Sequence, residues 1–122
     1  YPLSPSGMPG VQTLLPVMLD HVNKGKLKIE NLIKFVCENP CDLFGIKNKG
    51  YIKENFDADL TVIDMNKEVV IKDDWIESKC GWTPFNNYKV KGFPVATIVN
   101  GEIVMENNKI VSLPKGKPLN FN

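Results

Sequence analysis

A short loop rich in proline and glycine is the feature that most constrains this chain. Residues 5–10 read Pro-Ser-Gly-Met-Pro-Gly, and an apolar-periodic segment starts directly after them at Val11. The prolines disfavour regular strand pairing, whereas the glycines leave backbone N–H groups open to close approach. A helix that begins behind such a loop presents its positive end to the same space. The pattern therefore predicts a loop that binds an anionic group.

The composition is that of an ordinary globular domain. Its 122 residues are enough for one domain with a buried core, and the hydrophobic and charged fractions are 43% and 24%. The net charge of +1 gives no electrostatic basis for binding nucleic acid or an anionic membrane surface. No apolar run reaches the ~20 residues of a membrane span. The chain starts at Tyr1 without a secretory signal or an initiator Met, so we expect it to begin inside a longer reading frame.

Helical periodicity occupies the first part of the chain. Apolar spacing predicts a helix over Val11–Asn23 that stops at Gly25, and a second helix over about 29–38. A third, short helix is predicted to begin with Asn39 as its N-cap and to end at Gly45. These helices precede all the strand-like segments.

Strand patterns follow in the second part. Runs of β-branched residues predict strands at 60–63 and 68–71, with a turn between them at 64–67. Residues 81–92 are predicted to be irregular, and Asn100-Gly101 predicts a hairpin that joins two further strands. Helices followed by strands give an α+β class. Because so few strands cannot close a barrel, the open sheet edges predict a partner, either a missing part of the same polypeptide or a second copy in a homodimer.

Few side chains could carry chemistry. His21 is the only histidine, and a site for zinc with Cys37 and Cys41 would lack the fourth ligand that zinc normally requires. The three cysteines show no disulfide-type spacing, which predicts free thiols in a reducing cytoplasm. Three aspartates are assigned to local turn bonding, and five aromatic residues to the packing of an irregular loop on the sheet. The aspartates are Asp57, Asp59 and Asp64. The aromatic residues are Trp75, Trp82, Phe85, Tyr88 and Phe93.

Motifs along nearly the whole chain resemble the class I dihydroorotases, which are cyclic amidohydrolases. Residues 5–16 are similar to the loop and helix that follow the last metal-ligand Asp of that family. Residues 50–64 resemble its G-x-I and D-A-D-L-x-x-x-D signature, and residues 78–104 match its tail. The tail is shared with hydantoinases and allantoinases, whereas the Ser-Gly-Met-Pro-Gly loop and the Thr-Pro-Phe segment at 83–85 favour dihydroorotase.

Three positions depart from the family pattern. Asn55 and Asn87 stand where Gly is frequent, and an Asn can adopt the positive φ that Asn55 would need. Gln12 stands where Glu is frequent, and allantoinase-like members can carry Gln at this position. An allantoinase or hydantoinase tail therefore remains the alternative within the same superfamily.

The resemblance implies a parent enzyme with a metal-dependent (β/α)8 TIM barrel and a composite β-sandwich. Residues 1–45 would be the last loop and helices of the barrel, and residues 46–122 the C-terminal part of the sandwich. The implied reaction interconverts N-carbamoyl-aspartate and dihydroorotate in pyrimidine biosynthesis, at two zinc ions that activate a hydroxide. None of the family's metal-ligand or catalytic motifs occurs in this sequence, so the chain alone is expected to hold no metal and to be inactive.

One functional element carries over from the resemblance. Ser6 and Gly7 match the backbone contact that the family makes with the carboxylate of dihydroorotate, in agreement with the anion loop predicted above. The implied partners are the missing N-terminal part of the polypeptide and, for some family members, aspartate transcarbamoylase. A non-catalytic interaction module made from this tail is the alternative from a different functional class.

Overall fold

The helical part begins directly after the glycine-rich loop. The structure is a computed structural model, and it describes residues 7–113 and 116–121. Helix α1 spans Val11–Asn23, as predicted. It ends where Gly25 takes a φ of 68° and donates its N–H to the carbonyl oxygen of Val22 at 2.9 Å. Glycine is suited to this left-handed position because it has no Cβ.

The next helices form one continuous helical segment. Helix α2 spans Ile29–Ile33, a π-helical turn follows at Lys34–Glu38, and helix α3 spans Asn39–Phe44. The prediction that Asn39 caps a new helix is wrong, because Asn39 itself has helical φ and ψ of −58° and −41°. Pro40 has no N–H for the carbonyl four residues earlier, and the wider π turn before it lets the chain continue. Gly45 ends α3 in the left-handed conformation, as predicted.

The strands form one antiparallel sheet in the order β1-β2-β3-β4. Strand β1 spans Leu60–Val70, β2 Lys89–Val99, β3 Glu102–Glu106 and β4 Lys109–Ile110. The predicted hairpin at Asn100-Gly101 is confirmed, and both residues have a positive φ. Helices followed by an antiparallel sheet confirm the α+β class for the described residues.

Two strand predictions are wrong in their extent. The expected turn at 64–67 lies within β1, where the pairing register with β2 shifts between Asp64 and Glu68. The Asp64 carboxylate accepts hydrogen bonds from the N–H groups of Asn66 and Lys67, so a turn-like bulge forms without separating two strands. Strand β2 also starts at Lys89, inside the segment predicted to be irregular, because Lys89 and Val90 pair with the end of β1.

The core lies between α1 and the centre of the sheet. Ile71, Val90 and Phe93 are almost fully buried, with Val17, Val69, Trp75 and Phe85 packed around them. At Gly92 the strand β2 lies close to helix α1, since a Cβ built on Gly92 would lie 2.8 Å from the Cβ of Leu19. Among the described residues, no helix combines the length and the apolar character that a membrane crossing requires.

Candidate functional site

An open cavity of about 390 Å³ lies beside the glycine-rich loop. One wall is the loop and the first residues of α1, and the other is the segment that follows the 3-10 turn at Asp73–Trp75. The lining residues are Met8, Pro9, Gly10, Val11, Gln12, Ile76, Glu77 and Ser78. The loop predicted to bind an anion therefore borders a real concavity.

The first backbone donors of α1 have no side-chain cap among the described residues. Gly10 occupies the N-cap position and has no side chain with which to cap them, and no side-chain cap bond is found for α1 within the described residues. Helices normally satisfy these N–H groups with a side-chain oxygen, with water or with a ligand. Gly7 has a φ of 93°, and a Cβ built on it would meet no described residue within 4 Å. Conformation, and not space, is thus what favours glycine at this position.

The Gln12 side chain connects the two walls of the cavity. Its Nε2 donates a hydrogen bond to the carbonyl oxygen of Trp75 at 2.8 Å. Its Oε1 accepts a hydrogen bond from the N–H of Glu77 at 2.9 Å. The amide thus bonds two backbone groups that flank Ile76, and both of its polar ends are used.

The far wall is itself held on the sheet. The Trp75 ring packs against Phe93 with 5.5 Å between ring centroids, and its Nε1 donates to Asn108 Oδ1 at 2.9 Å. Asp73 adds a second anchor, because its carboxylate accepts a hydrogen bond from the N–H of Thr83 at 2.8 Å. These contacts fix the backbone that Gln12 binds.

The two predicted substrate-contact residues differ in what the structure shows. Gly7 lies in the loop next to the cavity wall, with an exposed backbone. Ser6 lies outside the described residues. The role of both residues stays a prediction.

No metal centre can be built from the part of the chain that the structure describes. It contains no group of three His, Cys, Asp or Glu side chains that could hold a metal ion. His21 is half-buried on α1, and its Nδ1 is buried without a hydrogen-bond partner there. Cys37 and Cys41 lie near each other, where burial, followed by the charges of Cys41 and Glu38, raises the pKa of Cys37.

The local turn bonding predicted for the aspartates is found for Asp64, whereas Asp57 and Asp59 make contacts with residues more distant in the sequence. Asp57 forms an ion pair with Lys49 at 3.0 Å, and Asp59 pairs with the same ammonium group. Asp59 also accepts a hydrogen bond from the N–H of Asn100 at 2.7 Å, which holds the β2–β3 hairpin. Hydrogen bonds from the Asn100 N–H and from Lys49 lower the pKa of Asp59. These carboxylates organise the backbone and lie apart from the residues that line the cavity.

The aromatic residues also pack largely as predicted. Trp75 and Phe85 contact the core around Phe93, and Phe85 pairs with Tyr88 at 6.2 Å between centroids. Trp82 is 38% exposed.

The sequence does not predict the bridging role of Gln12 or the opposite cavity wall. It marks Gln12 only as a departure from the family pattern. Its partners Trp75 and Glu77 are 63 and 65 residues away, and their backbone groups carry no sequence signal.

Comparison with known proteins identifies relatives of this chain. It is 42% identical over 112 residues to the dihydroorotase of Pyrococcus furiosus and 44% identical over 112 residues to that of Pyrococcus horikoshii. Each match covers 92% of this chain but only 27% of the relative, so the chain spans about a quarter of the length of these relatives.

A solved structure and a family model agree with this placement. The L-hydantoinase (dihydropyrimidinase) of Arthrobacter aurescens superposes with a TM-score of 0.86 at 35% identity, covering 89% of this chain and 25% of the hydantoinase. The model of the amidohydrolase family matches residues 9–104, which is most of the sequence. The chain therefore belongs to the amidohydrolase family.

Proposed function

We propose that this chain is the C-terminal part of a dihydroorotase, which interconverts N-carbamoyl-aspartate and dihydroorotate. The observation that carries the proposal is the similarity to two dihydroorotases at 42% and 44% identity over 92% of the chain. The L-hydantoinase is less similar, at 35% identity over 89% of the chain. The Ser-Gly-Met-Pro-Gly loop and the Thr-Pro-Phe segment favour the same assignment.

In this proposal the glycine-rich loop binds the carboxylate of dihydroorotate. Ser6 and Gly7 supply backbone N–H groups, as the resemblance implies, and the uncapped start of α1 adds its positive end. The positive φ of Gly7 and the open space around it support close approach of a ligand to the backbone. Within this chain the loop has a binding role and no part in bond cleavage.

The proposed parent enzyme has two architectural parts. Residues 1–45 belong to the end of a TIM barrel and residues 46–122 to a β-sandwich. The order of elements supports this division, because the described helices α1 to α3 precede Gly45 and all described strands follow it. Helix α1 packs on β2, where the absence of a side chain at Gly92 lets Leu19 come close to the strand.

The two zinc ions of the proposed parent do not fit the residues described here. No group of three ligating side chains is present between residues 7 and 113 or 116 and 121, and His21 stands apart from Cys37 and Cys41. The metal ligands would come from the missing N-terminal part of the polypeptide. The chain alone is expected to be inactive.

Hydantoinase activity is the second candidate function. It is favoured by the superposition with the L-hydantoinase at a TM-score of 0.86. Dihydroorotate is a cyclic amide that carries a ring carboxylate, whereas a 5-alkyl hydantoin carries none. The loop that is proposed to bind that carboxylate therefore distinguishes the two candidate substrates.

The test uses the polypeptide encoded by the complete reading frame, purified with zinc. Its kcat/KM is measured for L-dihydroorotate and for a 5-alkyl hydantoin, with the 122-residue chain as a control for contaminating activity. Dihydroorotase function predicts at least a hundredfold preference for L-dihydroorotate. A preference for the hydantoin would support the second candidate. Absence of both activities in a folded, zinc-loaded protein would support a non-catalytic module.

A further inference from the structure

We infer that Gln12 is a positioning residue that sets the distance between the carboxylate-binding loop and the opposite wall of the cavity. The inference rests on the proposed function of the loop. It starts from the two hydrogen bonds of the Gln12 amide, one to Trp75 and one to Glu77. Because Gln12 is only five residues from Gly7, fixing its side chain restricts where the loop can lie.

Both partners of the Gln12 amide are backbone groups of a segment that Trp75 anchors to the sheet. Trp75 is half-buried and tied to the sheet through Phe93 and Asn108. The connection therefore runs from the sheet through Trp75 to Gln12 and on to the loop. A binding loop held against a rigid element loses less conformational freedom when its ligand binds.

The chemistry of the contact requires an amide. One end of the side chain must donate, to the Trp75 carbonyl, and the other must accept, from the Glu77 N–H. An ionised carboxylate only accepts hydrogen bonds, so a Glu at position 12 would place a negative oxygen against the Trp75 carbonyl oxygen. A protonated Glu could make both bonds, with its O–H as the donor. The amide makes the bridge independent of pH.

This requirement gives the Gln at position 12 a specific structural role. The resemblance treats it as a departure from a frequent Glu. In this chain the residue is half-buried, and each polar atom of its amide bonds a backbone group, so the side chain is held between the two walls of the cavity.

The experiment compares Gln12→Glu, Gln12→Ala and wild type in the polypeptide from the complete reading frame. The kcat and KM for L-dihydroorotate are measured at pH 6 and pH 8.5. Gln12→Ala is expected to raise KM about tenfold at both pH values and to leave kcat within about threefold, since the loop contributes to binding. Gln12→Glu is expected to raise KM about as much as Gln12→Ala at both pH values, because its carboxylate is ionised there and cannot donate to the Trp75 carbonyl.

The sign of the Gln12→Glu effect follows from the contact. The ionised carboxylate still accepts the Glu77 N–H but places a negative oxygen against the Trp75 carbonyl oxygen, so one of the two bonds of the bridge is lost. Asn31→Asp makes the same change of charge on exposed α2 and is expected to match wild type at both pH values.

Different results separate the inference from the proposed function. If wild type does not hydrolyse dihydroorotate, the proposed function fails first. If wild type is active and both Gln12 variants keep the wild-type KM at both pH values, Gln12 does not position the loop. If Gln12→Ala does not fold, Gln12→Glu decides, and a wild-type KM for that variant at both pH values would overturn the inference.

Discussion

The carboxylate of Asp20 in α1 accepts a hydrogen bond from the backbone N–H of Lys91 in β2 at 3.2 Å. Asp20 is only 2% exposed, and its second oxygen contacts Lys24 Nζ at 2.5 Å and Tyr88 Oη at 3.3 Å. Asn23, one turn further along α1, donates to the carbonyl oxygen of the same Lys91 at 2.8 Å. Both backbone groups of Lys91 are thus bonded by α1, which ties the helix carrying the loop to the sheet.

Replacing Asp20 by Asn is expected to destabilise the chain by about 1–3 kcal/mol at pH 7. Burial raises the pKa of Asp20, but hydrogen bonds from Lys24, the Lys91 N–H and Tyr88 outweigh burial and leave the pKa below its usual value. As pH falls, Asp20 is protonated in the unfolded state before it is protonated in the folded state. The stabilisation by its charge is therefore present at neutral pH and is lost as pH falls below about 4.

Denaturant unfolding measured between pH 2.5 and 7 checks this prediction. The difference between wild type and Asp20→Asn is expected to shrink as pH falls through the carboxyl's range. Asp74→Asn, at an exposed site, is the matched control. A difference that stays constant down to pH 2.5 would contradict the assigned role of the charge.

Replacing Gly92 by Ala is expected to separate α1 from β2. Gly92 has a φ of 98°, and a Cβ there would lie 2.8 Å from Leu19 Cβ and 3.0 Å from Asn23 Nδ2. Overpacking and backbone strain together predict a loss of about 2–4 kcal/mol. Gly25 also has a positive φ, but a Cβ built on it would meet no described residue within 4 Å. Gly25→Ala therefore introduces backbone strain without overpacking. Equal free energies of unfolding for the two variants would show that the close packing at Gly92 adds nothing to the loss of stability.

Replacing Gly7 by Ala is expected to weaken substrate binding in the complete polypeptide. The φ of 93° disfavours any side chain with a Cβ, although space is open. The loop would relax away from its binding geometry and raise KM for L-dihydroorotate about tenfold, which corresponds to about 1.4 kcal/mol. Gly25→Ala imposes a similar backbone strain at the other end of α1 and should leave KM unchanged. A wild-type KM for Gly7→Ala would show that the loop is not part of the binding site.

The cysteines are expected to differ in reactivity. The Ser78 hydroxyl lies 3.2 Å from Cys80 Sγ and lowers the pKa of Cys80, whereas burial raises the pKa of Cys37. At pH 8 Cys80 therefore has more of the reactive thiolate and should be alkylated first by iodoacetamide, as followed by peptide mass spectrometry. Ser78→Ala should slow Cys80 selectively, and the denatured chain serves as the control. Faster alkylation of Cys37 in the folded chain would contradict this order.

Features encoded by neighbouring residues could be predicted from the sequence. The apolar spacing and Gly25 define α1, and Asn100-Gly101 defines the hairpin, because each depends on local backbone preferences. Asn55 and Asn87, which replace frequent glycines, do have positive φ values of 65° and 64°. Local signals also indicated the loop that borders the cavity.

Features that depend on tertiary contacts could not be predicted. The expected turn at 64–67 stays within β1 because pairing with β2 resumes at Glu68 and Lys91. Asn39 does not cap a helix because the π turn before it carries the chain past Pro40. The Gln12 bridge joins a side chain to backbone groups more than 60 residues away, and only the fold brings them together.

The intact mass of the product of the native gene, isolated from cells, tests the central claim most directly. As the C-terminal part of a dihydroorotase, these residues should belong to a polypeptide several-fold heavier than the 13.7 kDa of this chain. The relatives support that expectation, because the match covers 27% of their length. A native product of 13.7 kDa would contradict the assignment to a catalytic polypeptide and would favour a non-catalytic module.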